Sequence, residues 1–388
     1  MGIKHLNKYL QNNCHNGIKK NSFCELSGKK IAIDTSIYLY RFLGEDALLE
    51  NLYLMIATFR EYNIIPLFVF DGKPPKEKNA LIMERKEMKQ RAKDEYNKLE
   101  DKLVQADVDD NERNEITDSM NQLKKQFIRL HHTHIEKAKA LIQTMGISYI
   151  EAPCEADELC AKLVLKHKVY ACLSEDMDLF VYGCPRVLRY LSLLHKSVVM
   201  YDLNIILNEL HVSMDDFRNI CIVSGTDYNI NKNTSLFKTL KLFNKYKQSF
   251  IQNTIYNTIH NTIHNNNNDK NDKNDKNDKN DKNDGTHVNK NKTSANKKIK
   301  EKNKKGKNKK GKNKKNNDIK KPICFIDWLH ENTDYIENIY EIYNTTALFD
   351  LSTFKYMNLI DNIKVVNSSI NRPNLINIMK EEDFVFVS

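Results

Sequence analysis

"VYACLSEDMDLFVYG", residues 169–183, decides how this chain is to be read. An apolar run ends at Leu173. Ser174, Glu175, Asp176, Met177 and Asp178 follow, and then the chain turns apolar again. A buried strand that ends in clustered acids is costly to fold, because the charges lose water and repel one another unless something offsets them. Two other segments repeat the pattern. "KKIAIDTS" (29–36) and "IIPLFVFDG" (64–72) are short, β-branched or aromatic, and end in an acid. Helical patterns such as 46–62 and 155–168 lie between the apolar runs. This alternation predicts an α/β fold, a mostly parallel sheet with flanking helices. Ligands of such sheets gather at the carboxyl ends of the strands, so the three acidic endings are expected to converge.

More acids join them. "EAPCEADELCAKLVLK" (151–166) reads as a helix start after Pro153. Glu155 and Asp157 are two apart, about 200° around a regular helix. They share a ligand only if Glu155 occupies the non-helical cap. Asp176 and Asp178 have the same spacing, which puts them on one side of an extended or turning chain. "CIVSGTDYN" adds Asp227 after another apolar segment. With Asp34 and Asp71 the set is seven carboxylates and no histidine, a donor set for Mg²⁺ or Mn²⁺ rather than Zn²⁺. Two such ions about 4 Å apart are a standard device for phosphodiester hydrolysis, and they need no protein nucleophile. Cys154 and Cys172 read as small core residues.

The rest of the chain frames this site. Its 388 residues carry a formal charge of +10, but residues 290–321 alone hold sixteen lysines against Glu301 and Asp318, so the remainder is mildly acidic. The eight cysteines form no CxxC pair, as expected of a reducing compartment. No signal-peptide core or membrane span is read, and Leu6 stands where N-myristoylation wants Ser or Thr. A soluble intracellular protein is expected. Residues 76–137 are highly charged, lack Gly and Pro after the opening prolines, and alternate sign at helical spacing, which predicts exposed helices inserted between strands. His131, His132 and His134 have no partner at zinc spacing and read as surface residues. From 253 to 321 the chain is low-complexity, with NDK triplets leading into the lysine tract, and disorder is expected. The lysines suit weak nucleic-acid contact or a nuclear address. Order should resume at "PICFIDWLHENTDYIENIYEIY", and "RPNLINIMKEEDFVFVS" should dock as a short element.

"MGIKHL", "KKIAIDTSIYLYRFL", "PLFVFDGKPP", "MGISYIEAPCEADELCAKL", "SEDMDLFVYG" and "SGTDYN" resemble, in order, the motifs of the flap endonuclease / XPG-type structure-specific 5′ nucleases. The resemblance covers about residues 1–230. It implies a PIN-like (Rossmann-like) sheet with an inserted helical arch and a C-terminal helical region. The expected division is 1–105 (nuclease region and start of the arch), 106–137 (rest of the arch), 138–252 (internal nuclease region), 253–321 (Asn/Asp/Lys-rich insertion) and 322–388 (C-terminal helices). By resemblance the metal carboxylates are Asp34, Asp71, Glu155, Asp157, Asp176, Asp178 and Asp227. Lys78 and Arg85 match the basic pair placed over the scissile phosphate. Tyr40 matches an aromatic that stacks on the substrate, and Gly2 and Gly225 match close approaches to DNA. The implied reaction is hydrolysis by two Mg²⁺ ions, with Mn²⁺ able to substitute, near a 5′ single-strand/duplex junction in DNA replication or repair. It leaves a 5′-phosphate and a 3′-hydroxyl. A nuclear monomer acting on DNA, without a membrane partner, is expected.

The chain also departs from the pattern. Residues 229–247 hold no glycine where the family has a glycine-rich helix–two-turn–helix around K⁺, so duplex binding by that route and the K⁺ are left open. The segment between Tyr40 and Pro66 is short, and no sliding-clamp motif is found. Three other readings compete. An aspartyl phosphatase wants a second Asp two residues after the first, and here Ser36 follows Asp34. An inactive nucleic-acid-binding module and an RNA-directed nuclease of the related architecture remain alternatives.

Overall fold

The computed structural model describes residues 2–105, 109–229, 233–249, 251–252 and 323–384. The low-complexity insertion read over 253–321 lies outside them, as do positions 106–108 of the charged insert.

A seven-stranded sheet runs in the order β1-β7-β6-β5-β2-β3-β4. Its strands are β1 (Ile18–Ser22), β2 (Lys30–Asp34), β3 (Ile65–Phe70), β4 (Ser148–Glu151), β5 (Ala171–Leu173), β6 (Arg186–Ser192) and β7 (Ser197–Asp202). The pairings β2–β3, β2–β5, β3–β4 and β5–β6 are parallel, while β6–β7 and β1–β7 are antiparallel. The expected mostly parallel sheet is therefore present, with an antiparallel extension at one side. The three strands read from the sequence are its centre. β2 and β3 are buried almost end to end, as strands covered on both faces must be.

Helices α1 (Leu6–Asn13), α2 (Thr35–Gly44) and α3 (Leu48–Glu61) precede β3. A 3₁₀ turn at Lys76–Lys78 then leads into α4 (Asn79–Gln105), followed by α5 (Asp110–Gln126) and α6 (His132–Thr144). The charged insert thus forms the exposed helices α4 and α5. α6 returns to the body and buries Ala138, Leu141 and Ile142. α7 (Ala156–Leu165), the single turn α8 (Asp178–Val181), α9 (Leu203–Leu210) and α10 (Met214–Ser224) follow the later strands, and among the described residues α11 takes in 236–249 and 251–252. Beyond the insertion come α12 (Phe325–Asn332), α13 (Ile339–Leu348), α14 (Met357–Asn362) and α15 (Arg372–Lys380).

The main core packs α2, α3 and α6 on one sheet face through Phe42, Leu52, Met55, Phe59 and Leu141. The closing element docks as expected: Leu375 and Met379 of α15 enter this core, and the ring of Phe384 lies 5.5 Å from that of Tyr53. Upstream of α15, Asn367 forms an antiparallel bridge with Ile147 at the outer edge of β4 and so covers an edge that would otherwise invite pairing.

Candidate active site

Adjacent strands deliver the acids. β5, β2 and β3 are neighbours at about 4.8 Å spacing, so residues just past their ends fall within one cleft. Asp34 closes β2, Asp71 follows β3, the loop after β5 carries Asp176, and Asp178 opens α8 directly after it. A segment at the start of α7 crosses the end of β3. Gly72 N–H donates to the Cys154 carbonyl at 2.6 Å, and a Cβ on Gly72 would lie 2.0 Å from the Ala152 oxygen. Only glycine permits that approach. Glu155 is the N-cap of α7 in extended conformation (φ −91°, ψ 147°), the condition under which it and Asp157 face the same site. Asp71 Oδ1 accepts from the Ala156 N–H at 2.9 Å, so it caps the same helix. Helix N-termini favour anions, which offsets part of the cost of gathering acids here.

A cleft of about 810 Å³ is lined by Asp34, Asp71, Glu155, Asp157, Asp176 and Asp227. Lys78, Arg85, Lys86, Lys89 and Arg129 line the same cleft, and Ile37, Tyr40, Pro74 and Ile82 add apolar surface to it. Asp178 lies just behind, 2% exposed. Gly2 shows how near it is. With φ at +74°, a Cβ there would stand 2.5 Å from Asp178 Oδ1 and 2.8 Å from Asp176 Oδ1. All seven acids read from the sequence therefore belong to one neighbourhood, and Gly2 abuts it. Gly225, at φ +104°, ends α10 two residues before Asp227. Tyr40 is 41% exposed, and the Lys89 ammonium sits 4.9 Å from its ring centre.

The carboxylates are held individually. Ser174 Oγ donates to Asp34 Oδ2 at 2.8 Å and accepts from the Asp176 N–H at 3.0 Å. The Asp178 N–H donates to Asp176 Oδ1 at 3.0 Å. Lys78 pairs with Glu155, and Arg85 Nη2 with Asp227 Oδ2 at 2.7 Å. Burial, then the charge of Asp71, pushes the Asp34 carboxyl well above its ordinary range. Burial likewise raises Asp157, with Glu155 adding to it, and Asp178, with Asp176 adding to it. Asp176 is raised by burial against the Asp178 N–H bond, which lowers it. Burial draws Lys78 down, but Glu155 and Asp157 outweigh it and the net shift is upward, so this ammonium stays charged.

Sequence reading missed two members of this site. One is Ser174, the link between Asp34 and Asp176. The other is Tyr228, whose hydroxyl donates to Glu155 Oε2 and whose ring centre lies 5.5 Å from the Lys78 ammonium. Tyr182 hydrogen-bonds to it at 3.2 Å, and the ring of Phe349 packs on both tyrosines. Each missed residue adjoins a predicted acid or its loop, and that proximity was the only signal in the sequence. Cys172 is buried as read, while Cys154 is only half-buried.

Donor chemistry fits a divalent cation: every acidic donor is oxygen, and Asp178 Oδ1 is buried without a hydrogen-bond partner. The side chains do not stand pre-closed, however. Among the described residues no three His, Cys, Asp or Glu are drawn together tightly enough to hold an ion. Lys78, Arg85, Ser174 and the Ala156 N–H take up the oxygens instead.

Known proteins resemble this chain over the same stretches. The XPG N-terminal domain matches residues 1–92, and the XPG I-region matches residues 146–227. Flap endonuclease 1 of Aedes aegypti is 32% identical over 266 residues, covering 64% of this chain and 67% of that protein. The chain belongs to the flap endonuclease/XPG-type family. Flap endonuclease 1-A of Oryza sativa subsp. japonica is 34% identical over 250 residues, 59% of this chain, and the chain spans 62% of that relative's length. Among solved structures, flap endonuclease-1 from Methanococcus jannaschii is similar at 31% identity and TM-score 0.42, over 59% of this chain and 75% of that one. The first family match encloses Gly2, Asp34, Tyr40, Asp71, Lys78 and Arg85, and the second encloses the other five acids and Gly225. No helix among the described residues is long and apolar enough to cross a membrane.

Proposed function

We propose that this chain is a Mg²⁺-dependent, structure-specific 5′ nuclease that hydrolyses DNA phosphodiesters near single-strand/duplex junctions, as flap cutting requires. One observation carries the reading: a single cleft is lined by six carboxylates and five cations, with Lys78 and Arg85 paired directly to Glu155 and Asp227. Asp34, Asp71, Glu155, Asp157, Asp176, Asp178 and Asp227 would hold two Mg²⁺ ions, or Mn²⁺ in their place. When bound, the ions supply Lewis acidity at the phosphate and an acidified water.

The chain's own groups do the rest. Lys78 and Arg85 supply fixed positive charge where the transferring phosphoryl group gathers negative charge. The Tyr228 ring, 5.5 Å from the Lys78 ammonium, helps keep that charge at the cleft when Glu155 turns to metal. Tyr40 offers an exposed ring for a base or sugar to stack on. Lys86, Lys89 and Arg129 continue the positive surface away from the acids and suit the backbone of a single strand. α4 and α5, within residues 76–137, would form an arch over that strand. The division into regions at 1–105, 106–137, 138–252, 253–321 and 322–388, a nuclear location and a monomeric state complete the proposal. A role in replication or repair follows from the substrate.

The test is a panel of flap, nicked, bubble and RNA substrates with Mg²⁺ or EDTA. The reading expects Mg²⁺-dependent cutting of the flap, with 5′-phosphate and 3′-hydroxyl products. Tight DNA binding with no cutting of any substrate would favour a binding module.

A further inference from the structure

Arg189 has no place among the cleft-lining residues, yet it is only 6% exposed. It sits on β6, beside β5, and grips the far side of the loop that carries Asp176 and leads into Asp178. Its Nη2 donates to the Glu175 carbonyl oxygen at 3.0 Å and lies 3.3 Å from Glu175 Oε2. Its Nη1 donates to Asn7 Oδ1 on α1 and lies 2.9 Å from the Met177 sulfur. Its Nε has no partner. Glu175 and Met177 flank Asp176, and Met177 directly precedes Asp178. The Glu175 carboxylate also accepts from the Tyr190 N–H at 2.6 Å. β6 is irregular here, with Tyr190 left-handed at φ 54°, a feature of the kind that re-aims side chains.

The same guanidinium reaches the N-terminal segment. Asn7 Oδ1 accepts from the Tyr201 hydroxyl at 2.9 Å as well as from Arg189, and Asn7 Nδ2 donates to the Tyr190 hydroxyl. α1 is thereby fixed to β6 and β7, and Gly2, just ahead of it, rests against the two carboxylates.

We propose that Arg189 is a positioning residue for the metal site. Its planar fork spans Glu175, Met177 and Asn7 at once. That sets the backbone from which Asp176 and Asp178 project and holds the N-terminal segment over them. Burying a guanidinium is costly unless its donors are met in several directions, which a lysine ammonium at one point cannot do. Loss of a partner that orients a metal ligand typically costs roughly 10–100-fold in metal affinity.

This inference rests on the proposed function, and direct Mn²⁺ binding separates the two. Full-length chains would be titrated with Mn²⁺ alone, and free Mn²⁺ read by electron paramagnetic resonance, well below the melting temperature of each variant. Wild type should bind Mn²⁺, and Arg189→Lys, with charge kept and fork lost, should bind about tenfold more weakly. Glu175→Ala, changing a partly exposed side chain, should weaken binding several-fold and decides the matter if Arg189→Lys does not fold. Wild-type affinity in folded Arg189→Lys, or in Glu175→Ala where that variant must stand in, overturns the positioning role and leaves the proposed function intact. Absence of Mn²⁺ binding by wild type overturns both.

Discussion

Asp34, Asp157, Asp176 and Asp178 are each less than a tenth exposed; Asp34 ends a strand, Asp157 and Asp178 lie in the first turns of helices, and Asp176 sits in the short loop between β5 and α8. In the same cleft, Lys86 and Arg129 are exposed and sit on a long charged helix and the loop after its partner. One wall is placed by the buried sheet, and its charges are raised in energy by that burial. The other is placed by a charged insertion whose outer cations, Lys86 and Arg129, stay hydrated. Side chains that share a metal must be exact to within tenths of an ångström, whereas a phosphate backbone tolerates a displaced lysine. Single changes in the first wall should therefore act all or none, and those in the second should be graded and salt-dependent.

The sharpest contrast is expected from Asp176→Asn. Cutting should fall below detection while flap binding, measured by fluorescence anisotropy, persists; an active variant would show that the first wall is misassigned. Lys78→Ala comes next, because Lys78 belongs to the second wall yet touches the first through Glu155. A loss of about 10²-fold in single-turnover rate is expected, the scale of removing one electrostatic donor. Arg129→Ala should leave the single-turnover rate near wild type at saturating DNA. It should weaken binding several-fold and reduce the slope of log affinity against log salt by about one. The smallest effect belongs to neither wall: deletion of 258–318 should leave melting and turnover nearly unchanged, and a collapse in either would assign that tract a structural role.

The asymmetry also explains what could be read without coordinates. β2, β3 and β5 are apolar runs with acids at their ends, and burial on both faces writes them into the composition. β1, "IKKNS", and β4, "SYIE", are edge strands with exposed positions, and nothing local marks them. The β6–β7 hairpin follows the Asp176–Asp178 stretch and carries Arg189, whose proposed role depends on a partner 182 positions away, Asn7. Local spacing cannot show a contact of that kind. Glu155 at the cap of α7 was legible because only one backbone conformation lets it join Asp157. Tyr228 was not, since its partners Glu155, Tyr182 and Phe349 lie on three separate stretches of the chain.

Central to the proposal is that the seven carboxylates would act on metal together. Crystals soaked in Mn²⁺ and recorded at the manganese absorption edge test it most directly. Two anomalous peaks about 4 Å apart are predicted in the cleft, ligated by carboxylates that include Asp157 and Asp176, with Lys78 and Arg85 released from Glu155 and Asp227. Ions bound elsewhere on the protein, with these acids still tied to Lys78 and Arg85, would contradict the account.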